Sequence, residues 1–81
     1  MNSELKRLRW QCRRGAKELD AVLCRYLDGS YIKAGSSEQR LFLQLLALED
    51  DQLLAYFFAH ATPETEGLKQ LVSKIRSTFM D

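Results

Sequence analysis

The chain has 81 residues, 46% of them hydrophobic and 28% charged, with a formal net charge of +1. A chain this short makes one small domain that buries roughly 60–65% of the surface its unfolded form exposes, which argues against a deep private active-site cavity. The near-neutral total removes any global charge argument for nucleic acid or an anionic membrane.

The pattern predicts five helices and no strand, an all-α compact bundle in a single domain spanning residues 1–81. The first helix runs from about Glu4 to Cys12, with Asn2 or Ser3 as its cap. Leu5, Leu8 and Cys12 form its apolar stripe; Trp10 falls off that stripe. Gly15 interrupts. The second helix, from about Ala16 to Leu27 or Asp28, presents Leu19, Val22, Leu23, Tyr26 and Leu27 on one face. Gly29 is expected as a left-handed stop, and Tyr31 and Ile32 should tuck the following loop onto the bundle.

Ser36 with Gln39 has the form of a capping box for a third helix. The stretch Leu41 to Leu48 is apolar almost all round and is expected to be the most buried helix. Asp50 or Asp51 should cap a fourth helix holding Leu53, Leu54, Tyr56, Phe57 and Phe58. Pro63 is expected in the first turn of a fifth helix, whose apolar face is Leu68, Leu71, Val72, Ile75 and Phe79.

Charge is unevenly spread. Residues 1–25 carry seven basic and three acidic groups, while residues 26–66 carry two and seven. These groups either coat solvated helix faces and pair with one another, or form a basic docking face on the first two helices.

Chemistry finds little purchase. One histidine, His60, and two cysteines, Cys12 and Cys24, offer no metal-ligand spacing and no nucleophile–base pair. Glu49-Asp50-Asp51 reads as a helix cap. Lys6, Arg7, Arg9, Arg13 and Arg14 lack the motif context of a nucleic-acid binder. No secretory signal or membrane span is seen, so a reducing cytoplasm with both thiols free is expected.

What remains is Arg13-Arg14-Gly15-Ala16-Lys17-Glu18-Leu19-Asp20. Gly15 stands at a helix joint with no side chain to hold off a partner. The amides after it are short of acceptors, and Glu18 is placed to reach back towards Gly15. Either this is a capped corner, or it is an exposed patch of Arg donors, a Glu acceptor and bare backbone suited to docking.

The segment from Trp10 to Asp20 resembles the signature of the SdhE family of FAD assembly factors, whose members have also been labelled antitoxins of the CptB type. Its RGxxE motif is met by Arg14, Gly15 and Glu18, flanked by matching Arg13, Leu19 and Asp20. Arg40-Leu41-Phe42-Leu43-Gln44-Leu45-Leu46 followed by Asp50-Asp51-Gln52-Leu53 resembles the family's third and fourth helices. Where family members often carry a tryptophan near Tyr56, this chain has Tyr56-Phe57-Phe58.

The resemblance implies a non-enzymatic five-helix protein that promotes covalent attachment of FAD to the flavoprotein subunit of succinate dehydrogenase, and of fumarate reductase where present. It implies that Arg13, Arg14, Gly15, Glu18 and Asp20 contact that partner, with Arg14 donating to it. The flavin bonds to the partner, so no tightly bound cofactor is expected here. A monomer without nucleic-acid or membrane partners is expected.

Overall fold

The computed structural model describes residues 3–79. They form α1 (Ser3–Gln11), α2 (Lys17–Tyr26), α3 (Ser36–Leu46), α4 (Asp50–Phe58) and α5 (Glu66–Phe79), with no strand among them. The all-α expectation holds, and a cap from Asn2 lies outside the described residues. The radius of gyration, 11.7 Å, is that of a compact domain of this length.

α2 is the central element. Its apolar face, Leu19, Val22, Leu23 and Tyr26, is buried, as is Leu27 just past its end. It packs on α4 and α5, and α3 packs on α5. Leu8 of α1 and Cys12 just past its end join the core, with Leu5 half-buried beside them. Phe42 stands at the middle, its ring 4.6 Å from Tyr26 and 5.6 Å from Tyr31. The Tyr26 hydroxyl donates to Glu38, whose carboxylate also accepts from Lys74 Nζ at 2.9 Å. No buried side-chain nitrogen or oxygen among the described residues lacks a partner, as a small core requires.

Several local expectations are corrected. α3 is not buried all round: Leu43 is 39% exposed, and only Phe42, Leu45 and Leu46 are buried, with Leu41 partly buried beside them. A chain this short has too few elements to surround any one helix. Gly29 does not stop α2; Leu27–Tyr31 forms a wider π-helical turn, and no described glycine has positive φ. That turn buries Leu27 and Tyr31 together but leaves Ile32 62% exposed.

Gly35 rather than Ser36 occupies the cap of α3, and the Gln39 side-chain Nε2 instead donates to Tyr31 O at 2.7 Å. Glu49, not Asp50 or Asp51, caps α4, in a box with Gln52. Pro63 is buried in the connection before α5, whose first turn is closed by Thr65 Oγ1 accepting from Leu68 N at 3.3 Å.

Phe42→Ala should remove about 3–5 kcal/mol through lost burial and the cavity left behind. A urea melt followed by circular dichroism should show the midpoint fall sharply with little change in slope.

Candidate functional site: the α1–α2 corner

α1 ends because its last carbonyls run out of amides. Cys12 N reaches Leu8 O at 2.9 Å and Arg13 N reaches Trp10 O at 3.1 Å, after which the chain turns. The Arg14 amide donates to the Asp20 carboxylate, so Asp20 on α2 fixes the corner from below. Ala16 takes the cap position of α2 in extended conformation and provides no side-chain cap. Glu18 lies exposed in the first turn of α2; the amide of Gly15, which it was expected to cap, donates to Asp50 Oδ2 at 3.2 Å.

The Arg14 side chain is only 15% exposed. Its Nε donates to Asp50 Oδ1 at 2.7 Å. Nη1 donates to Gln11 O and Leu46 O, each at 3.1 Å, and Nη2 to Leu48 O. The guanidinium therefore closes the C-terminal ends of both α1 and α3, where carbonyls lack intrahelical partners and the helix dipole favours a cation.

Four of a guanidinium's five N–H groups are used in this way. Within the chain, Arg14 shapes the corner. The sequence held one signal of this: α3 has no basic residue in its last turn, so its orphan carbonyls need a donor from elsewhere. Asp50 is the site residue that local reading assigned to a different role.

Outward, the corner presents Arg13, Gly15, Lys17 and Glu18, all exposed. Trp10, 71% exposed, stands one helical turn away. Arg9 is tied to Asp28, so it contributes less free charge. The Cys12 thiol is buried and pushed up to about 12 by desolvation, with Cys24 adding to the rise. It is a packing group, not a nucleophile. Among the described residues no cluster could hold a metal ion, and no helix is long and apolar enough to cross a membrane.

A family model described as the flavinator of succinate dehydrogenase matches residues 6–79, which include this corner and every helix that supports it. The chain belongs to this family. Relatives of the SdhE family run nearly its whole length. The FAD assembly factor SdhE of Methylococcus capsulatus is 43% identical over 75 residues, covering 93% of this chain and 90% of its own. That of Coxiella burnetii is 37% identical over 78 residues, covering 94% and 95%. That of Psychrobacter arcticus is 40% identical over 75 residues, covering 93% and 81%.

Two outcomes follow from the clamp. Arg14→Lys keeps the charge but loses the planar fork, and leaves the Leu46 or Leu48 carbonyl without its donor. Stability should fall by about 2–3 kcal/mol, read as a lowered urea midpoint.

The second concerns acid. Hydrogen bonding from Arg14, then from the Gly15 amide, holds the Asp50 carboxyl below its ordinary value of 3.8. The Tyr26 hydroxyl, then Lys74, does the same for Glu38, ordinarily 4.5. Both groups bind protons more readily when unfolded. Their stabilisation is therefore full above the ordinary carboxylate range and is lost as pH falls through and below it. Thermal melts should show this decline, and Asp50→Asn should flatten part of it.

Proposed function

We propose that this chain is an assembly factor that binds the flavoprotein subunit of succinate dehydrogenase and promotes covalent attachment of its FAD. The support is the family match along residues 6–79 together with the names of the SdhE relatives. The single observation that carries the residue-level reading is the division of the motif. Arg14 and Asp20 turn inward to hold the corner, while Arg13, Gly15 and Glu18 face out.

In this reading Gly15 permits close backbone approach and Glu18 accepts from a partner donor. Arg13 supplies the charge that Arg14 cannot spare. Asp20 acts by fixing the angle at which the others are presented. The factor works by contact: it favours the partner conformation in which the flavin bond forms, and holds no flavin tightly itself. It acts as a monomer in the cytoplasm, with fumarate reductase as a second client.

Gly15→Arg tests this directly. A Cβ at Gly15 would meet Asp50 Oδ2 at 3.5 Å, an ordinary contact, and no positive φ opposes the change. The variant should melt within a few degrees of wild type by circular dichroism and yet fail to restore covalent flavin in a strain lacking the factor. Wild-type flavinylation by the variant would remove the corner from the docking role.

A further inference from the structure

A cleft of about 180 Å³ lies between the α4–α5 connection and one face of α5, and no residue of the α1–α2 corner lines it. His60, Thr62, Lys69, Ser73 and Arg76 give it its polar lining, and no carboxylate lines it. Lys69, Ser73 and Arg76 follow one another at i, i+4 and i+7, a single stripe along α5. Among the described residues neither Lys69 nor Arg76 forms an ion pair; those that do are Arg9, Arg14 and Lys74.

The connection that brings His60 here is strained. His60 has φ 60, the one positive value among the described non-glycine residues. It follows α4 at the left-handed position where glycine is the usual choice. There the chain wraps so that Ala55 O accepts from both Ala59 N at 3.1 Å and Ala61 N at 3.0 Å. A side chain at this position carries a backbone cost that glycine would avoid.

The imidazole, however, meets Arg76: Nη2 lies 2.6 Å from Nδ1. A guanidinium cannot accept, so Nδ1 accepts and Nε2 carries the ring proton. His60 thereby holds Arg76 in place and adds an N–H donor of its own.

We propose that this cleft binds a phosphoryl group. Its donors come from two directions, the connection and the helix face. The lining residues carry a guanidinium, an ammonium, an imidazole and two hydroxyls. Such a set fits a tetrahedral dianion better than a planar carboxylate, which one guanidinium satisfies in its own plane. Two positive charges without an ion pair among the described residues match two negative ones. The phosphoryl group comes from a soluble phosphate ester or from a phospholipid headgroup. The site is independent of the docking reading of the corner.

The test uses the full chain and NMR of the His60 ring, the Arg76 Nε–H and the amides of residues 60–62. Titrants at constant ionic strength are inorganic phosphate, ADP, and phosphatidylglycerol vesicles, with chloride as the control. Saturable shifts confined to the cleft are expected. Lys69→Gln and Arg76→Gln should each weaken binding about tenfold, the value of one charged hydrogen bond. His60→Gly relieves the backbone, so it should melt no lower than wild type and still bind more weakly. A response to phosphate and ADP supports a soluble ester, and a response to vesicles alone supports a headgroup. Shifts that do not saturate, equal shifts with chloride, no response to any titrant, or variants that bind like wild type overturn the proposal.

Discussion

The fold turns on one guanidinium. Arg14 ties the end of α1, the end of α3 and the start of α4 into a single point, through Gln11 O, Leu46 O, Leu48 O and Asp50. A core of this size cannot hold every helix end by apolar burial alone. At this corner the ends are joined by a charged group with multiple donors in fixed directions, worth more per contact than neutral hydrogen bonds. Asp50 completes the arrangement, since one carboxylate serves both the Arg14 side chain and the Gly15 backbone.

That joint explains why a short motif mixes structural and surface residues. Local reading treats adjacent arginines as equivalent, yet Arg13 is exposed and Arg14 is sunk between two helix ends. The difference comes from contacts more than thirty positions away in the chain, at Leu46 to Asp50. In the proposed function the inward residues set a shape and the outward ones meet the partner. In that proposal, a substitution at either kind of position would act for a different physical reason.

Periodicity made most of the fold legible. The apolar faces of α2 and α5 lie where their 3.6-residue spacing put them, because several residues vote on each face. Caps were less legible, because each rests on one or two residues and shifts easily by a position. Glu49 displaced Asp50 as the α4 cap because Asp50 was wanted by Arg14 and Gly15. Gly29 met no need for a left-handed turn, since a wider helical turn kept Leu27 and Tyr31 both inside. The cleft beside His60 was hidden for a related reason. Sequence alone places His60 at a helix end but does not show that α5 brings Arg76 against it.

The long span of the Arg14 clamp also bears on synthesis. During synthesis the motif emerges ahead of most of what it binds: of its side chain's acceptors only Gln11 O precedes it, and Leu46, Leu48 and Asp50 come later. A nascent chain that has not yet released α3 and the start of α4 carries the motif's letters without its shape. The corner can thus close only once the chain has been made as far as Asp50, and its geometry reports that the end of α3 and the start of α4 are in place.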